Sequence, residues 1–259
     1  MMNVGLNWLP ETAYLFILIF ARVGTMLMLM PAFGESLIPS RMRLGFALAF
    51  SMVLFPLVSP ELPAMGSSNI FGIFSLLIQE VIIGLILGSL GRFVVSSTQT
   101  AGTVIAFQLG LSMAQTADPT QNGLQGALIG NFLSLLGIML IFATDLHHVI
   151  LAAVYQSYQV FVPGGLLMLG DAADLALSMV AGAFVIGVQM SAPFIVFGLV
   201  FYLGLGILAR LMPQVQVFFV AMPANIGIGL ILFAFLITMM MSWYLLHVEG
   251  QFNMLMGGG

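Results

Sequence analysis

Apolar residues run along this chain in long blocks, cut by short polar stretches. A hydrocarbon layer of about 30 Å needs roughly 20 apolar residues of helix to cross it. Six blocks approach that length: Thr12–Met30, Arg43–Val58, Ile70–Val95, Ala127–Ala143, Leu175–Ala209 and Val217–Leu246. The pattern predicts an all-α integral membrane protein with about six apolar helical segments. Between the fourth and fifth blocks, His147–Val162 reads as an amphipathic helix at an interface. The last two blocks are longer than a simple span. Pro193 and Pro223 interrupt them, and proline removes a helix hydrogen bond and kinks the axis. Between them lies a tight polar turn from Arg210 through Pro213 and Gln214 to Gln216. The last third therefore reads as one long, kinked helical hairpin, unlike the shorter spans before it.

Cap and turn chemistry supports these cuts. Ser40 is placed to N-cap the second helix after Pro39, and Ser59-Pro60-Glu61-Leu62-Pro63 stops it. Asp118 can cap a helix with Pro119 at its first position and Gln121 three residues on. Asp171 can do the same with Asp174. Capping accounts for both aspartates without any chemistry.

One polar stretch stands apart, Phe107–Gly123, between two strongly apolar runs. It carries Gln108, Ser112, Gln115, Thr116, Asp118, Thr120, Gln121 and Asn122, with Asp118 its one formal charge. Neutral polar backbone at membrane depth is tolerated where protein or a wet cavity surrounds it. The stretch fits a segment lining or blocking a pore, and its composition equally fits an ordinary inter-helix loop.

Composition sharpens the class. Of the 259 residues, 61% are hydrophobic and 5% charged, against about one quarter charged in a soluble domain. Such a chain cannot cover a soluble surface, so membrane lipid is an expected neighbour. All five basic residues are arginine and form no patch, so nucleic acid is not an expected partner. The absence of cysteine excludes disulfides and thiolate metal sites. The N-terminus lacks the basic region of a signal peptide and reads as a retained first membrane helix. Under the positive-inside rule, the arginine-bearing loops put both termini outside and the Phe107 stretch towards the cytoplasm.

Few residues suggest chemistry. Arg22 and Glu80 lie inside apolar spans, where a charge is costly and needs a partner or a wet cavity. They could pair with each other or with another subunit; two ionisable groups do not make a proton relay. His147 and His148 beside Asp145 fall short of a full ligand set, so no metal is expected. Gly84 with Gly88, and Gly126 with Gly130, have the spacing that lets membrane helices approach closely. Protease, Walker A and GxSxG motifs are absent, so no catalytic residue and no cofactor is expected. The chain is not expected to be an enzyme. A secondary transporter for a small solute is the alternative class, and an assembly scaffold a third. Neither inverted repeats nor a paired ionisable site supports the transporter.

Three segments together resemble the FliR/SctT family, the R or T subunit of the bacterial type III secretion export gate. They are Gln79–Gly88 (QEVIIGLILG), Gln108–Pro119 (QLGLSMAQTADP) and Arg210–Leu230 (RLMPQVQVFFVAMPANIGIGL). Their order and spacing match over nearly the whole chain, and the Arg-x-x-Pro-Gln turn followed by Met-Pro is the most specific piece. The flagellar branch is favoured over the virulence injectisome branch. The resemblance implies a gate shared with P and Q subunits in the basal body at the bacterial inner membrane. It implies a P-like part, residues 1–165, holding the plug loop, and a Q-like hairpin, 166–259. It implies a plug of Gly110, Leu111, Ser112, Met113, Ala114, Gln115 and Thr116, with Asp118 and Pro119 at its far end. The turn Arg210, Pro213, Gln214, Gln216 would meet the B subunit, and unfolded exported proteins would pass through. Family members assemble largely above the membrane plane, so apolar surface here would be covered partly by P and Q.

Overall fold

The computed structural model describes residues 9–31, 33–34, 38–63, 70–111, 124–165, 169–212 and 217–255. Among them the regular structure is helical throughout: α1 Leu9–Leu29, α2 Ser40–Val58, α3 Ile70–Gln108, α4 Leu124–Ala143, α5 Leu146–Val160, α6 Leu169–Leu211 and α7 Val217–Leu255. A short 3-10 turn, Ser59–Glu61, follows α2. Five helical stretches are long and apolar enough to cross a membrane: Glu11–Leu29, Ser40–Glu61, Phe71–Gln108, Ala176–Leu211 and Val220–Asn253. The helices α4 and α5 make a sixth only if taken together.

The third helix departs most from the sequence expectation. It does not stop at Val95 but continues to Gln108, through Ser96, Ser97, Thr98, Gln99 and Thr100. The reason is local. Ser97 Oγ donates to the Val94 carbonyl and Thr98 Oγ1 to Val95, both at 2.7 Å. Thr100 and Thr103 return to the carbonyls of Ser96 and Gln99. Hydroxyls bonded back to the preceding turn need no water, so a polar run stays helical in apolar surroundings.

Smaller corrections concern helix ends. Ser40 is the first helical residue and not the cap. Pro39 caps α2 with an extended backbone, φ −55° and ψ 138°, and no side chain completes the cap. The sixth helix starts at Leu169, ahead of the expected cap Asp171. Pro193 and Pro223 lie within continuous helices of 43 and 39 residues and interrupt neither. The expected cap at Asp118 lies outside the described residues.

The chain divides into two compact units, each assembled from separate segments: 1–93, 144–179 and 249–259 in one, 94–143 and 180–248 in the other. In the first, α1 presents Leu18, Ile19, Val23 and Met26, all essentially inaccessible, as a stripe at helical spacing. Against it lie Gly84 and Gly88 of α3. A Cβ at Gly84 would stand 2.5 Å from the Arg22 carbonyl oxygen, and one at Gly88 2.7 Å from Leu29 Cβ. Only glycine permits that approach. Helix α5 buries Ile150, Ala153, Val154, Ser157 and Tyr158, the one-faced pattern of an amphipathic helix. In the second unit, Gly102 packs on the backbone of Gly130, and Thr98 and Ser134 share a 2.8 Å hydroxyl bond.

Candidate functional site

Two places carry the unusual chemistry of the chain. The first, in the first unit, is a buried charge pair. Arg22 follows the core stripe of α1 and is 0% exposed; Glu80, in α3, is 1% exposed. Arg22 Nε donates to Glu80 Oε2 at 2.5 Å, and Nη2 donates to Oε1 at 2.9 Å. The guanidinium reaches further, to the end of α5. Its Nη1 donates to the Ser157 carbonyl and its Nη2 to the Phe161 carbonyl, each at 2.9 Å. The Tyr158 ring lies under it, 4.1 Å from the guanidinium carbon to the ring centre.

The energetic logic follows. The last carbonyls of a helix lack partners within it, and a cation there also meets the negative end of the helix dipole. A bidentate carboxylate cancels the charge, and an aromatic face covers the flat side. One side chain thereby joins α1, α3 and the end of α5. The sequence placed two charges in apolar spans. The α5 carbonyls and Tyr158 were missed, because backbone acceptors leave no mark in a residue pattern.

The second place, in the second unit, is the end of α3, where the polar stretch begins. Leu109 donates its N–H to the Ile105 carbonyl at 2.9 Å and Gly110 to Phe107 at 3.0 Å. Gly110 has φ +76°, a left-handed conformation that suits glycine and ends the helix. Three side-chain and backbone contacts hold this end. Asn225 of α7 is 2% exposed, and its Nδ2 donates to the Gln108 carbonyl at 3.1 Å. Gly198 of α6 receives the Gln108 amide, with Cδ 3.1 Å from where a Cβ would stand. Gly229 of α7 receives Leu109, whose Cγ lies 3.1 Å from the same imagined atom. Asn225 Oδ1 is buried and has no hydrogen-bond partner among the described residues. The sequence reading passed over Gly198, Asn225 and Gly229. An asparagine in a long apolar helix, one turn before a glycine, was the available signal.

Of the expected plug residues, Gly110 and Leu111 are described. Ser112, Met113, Ala114, Gln115, Thr116, Asp118 and Pro119 lie outside the described residues. Of the hairpin turn, Arg210 is exposed at the end of α6 beside Leu211, which is 73% exposed. Pro213, Gln214 and Gln216 lie outside. Asp145, with φ 58°, stands at the break between α4 and α5 with His147 and His148. One ligand atom from each of the three lies within 4.8 Å of the others. His148 Nδ1 is 3.8 Å from Asp145 Oδ1 with both side chains solvent-facing. Three ligands are one short of a closed tetrahedral site.

Comparison with known proteins adds a family. A profile for "Bacterial export proteins, family 1" matches residues 13–250. The chain is 45% identical over 221 residues to the flagellar biosynthetic protein FliR of Caulobacter vibrioides, covering 85% of this chain and 87% of that one. It is 32% identical to the protein of that name from Bacillus subtilis, covering 84% and 83%. Against the one from Escherichia coli it is 29% identical, covering 90% and 87%.

Proposed function

The chain belongs to family 1 of the bacterial export proteins, and we propose that it both lines and closes the protein-conducting channel of the flagellar export gate. It is a multi-pass membrane protein of the flagellar apparatus and a subunit of its export gate. The finer reading is ours. The chain sits in the inner membrane at the basal body and assembles with the P and Q subunits. Residues 1–165 form a P-like part and 166–259 a Q-like hairpin, whose turn Arg210–Gln216 meets the B subunit. Unfolded export substrates pass through the assembly. The chain itself catalyses nothing; a separate ATPase and the proton-motive force supply the energy.

The plug is the part that bears on mechanism. A channel wide enough for a polypeptide would collapse ion gradients unless something closed it. The observation that supports the stretch from Gly110 is its origin. It starts at a left-handed glycine on a buried, anchored helix end. It then runs as Leu111, Ser112, Met113, Ala114, Gln115 and Thr116, soft apolar groups and hydroxyl or amide groups without charge. Such a segment seals by packing and neutral hydrogen bonds, and yields without separating ions.

Deleting Gly110–Gln115 tests the reading. The expected result is an assembled gate that leaks ions, measured as membrane conductance and slowed growth. Unchanged ion permeability in a fully assembled deletion complex would leave only an ordinary loop.

A further inference from the structure

We infer that Asn225, Gly198 and Gly229 form a fixed seat for the near end of the closing segment, with Asn225 as its positioning residue. The inference rests on the plug reading above and adds what holds that plug in register.

The seat is built from two pairs of positions, one on each long helix. Gly198 and Tyr202 are four apart on α6; Asn225 and Gly229 are four apart on α7. Residues at that spacing share a helix face. Into the space between fit Gln108, Leu109 and Gly110. The Gln108 side chain lies on Gly198, Leu109 on Gly229, and Gly110 close to Asn225 and Tyr202, with Asn225 Nδ2 3.4 Å and Tyr202 Oη 3.9 Å from where its Cβ would be. Leu109 is wholly buried in this seat.

The polar contact is what makes the arrangement specific. The last carbonyls of α3 have no partner within their own helix. In apolar surroundings an unmet carbonyl is costly, and Asn225 Nδ2 meets the one at Gln108. Asparagine is a poor residue for the middle of an apolar helix on its own account. Among the described residues this carbonyl is the side chain's one hydrogen-bond partner, since its Oδ1 has none there. Glycines at 198 and 229 then let Gln108 and Leu109 approach closely enough for the bond to form. Left-handed Gly110 turns the chain away from a point that no longer moves.

Two experiments on the assembled gate decide the matter. The first compares Asn225→Leu with Asn225→Gln. Leucine fills the volume without a donor; glutamine keeps an amide. Loss of the donor should shift the seated-to-displaced ratio about five- to a hundredfold, read as increased ion conductance at unchanged complex yield. Glutamine should recover part of the seal. Conductance equal to that of the unaltered gate in an assembled Asn225→Leu complex would overturn the inference.

The second experiment stands even if Asn225→Leu fails to assemble. Cysteines replacing Leu109 and Gly229 stand at a spacing a disulfide can bridge. Oxidation should change neither conductance nor export relative to the reduced form of the same variant, because a fixed seat does not open. Arrested export on oxidation, restored by reduction, would mean that the seat must release and would overturn the inference. The plug reading fails separately: it falls if the Gly110–Gln115 deletion does not leak, whatever happens at Asn225.

Discussion

Replacing Glu80 with leucine removes the only counter-charge of Arg22 among the described residues. Arginine has five N–H donors, and four are used here, two on Glu80 and two on the carbonyls of Ser157 and Phe161. The variant keeps the two carbonyls and the Tyr158 ring but strands a positive charge at a site with no solvent exposure. Breaking one side of a buried pair costs about 3–5 kcal/mol, a shift of roughly two to three and a half decades in the folding equilibrium. Arg22→Leu should cost as much, because Glu80 is then the stranded charge. The double variant behaves differently. It removes both charges and leaves chiefly the Phe161 carbonyl without a donor; Ser157 still accepts the Phe161 N–H at 2.9 Å. One unmet buried carbonyl costs about 1–3 kcal/mol. The double variant should therefore be more stable than either single one. The assay is the level of the chain in isolated membranes, with thermal aggregation in detergent and swarming motility beside it. Normal levels for Glu80→Leu, or a double variant as poor as the two losses added together, would refute the reasoning.

Two further outcomes follow from the geometry. Gly102→Val should lower the amount of folded chain sharply, because a Cβ there meets the backbone of Gly130 and Ile129, which cannot rotate aside; Gly204→Ala, where the same test meets open space, should be tolerated to within about 1 kcal/mol, and equal losses at both would be contrary to the packing described. At the exposed end of α6, cysteine in place of Leu211 should crosslink to another export component in intact gates, as should cysteine in place of Gln214; capture by lipid probes alone would remove the partner contact.

The sequence made the class of fold plain, because near-absence of charge and long apolar runs leave few alternatives. It was less informative wherever a partner group had no side-chain signature. The helix α3 was cut short at Val95, since a run of hydroxyls looks like a loop until their bonds to the preceding carbonyls are seen. Arg22 and Glu80 were visible as two misplaced charges, and the α5 carbonyls that complete their network were not. Asn225 and its glycines were hidden by the length of the helices that carry them. A notch is a relation between two helices, and periodicity along one chain does not record it. The family resemblance reached further than the residue pattern, placing this chain among export proteins from a few short motifs that packing alone would not have distinguished.

Phe252 bears on how such a chain can be made. It lies near the end of α7, is 1% exposed, and its ring stands 3.6 Å from where a Cβ on Gly91 would be. Its segment belongs with residues 1–93 and 144–179. Phe252 is synthesised long after Gly91, so the early helices exist before their late aromatic partner does. During that interval the Gly91 position lacks its aromatic cover, and chains with exposed apolar surface are prone to misassembly. A chain cut before Phe252 is therefore expected to leave this part of the first unit incompletely packed, because the ring that covers the Gly91 position is missing.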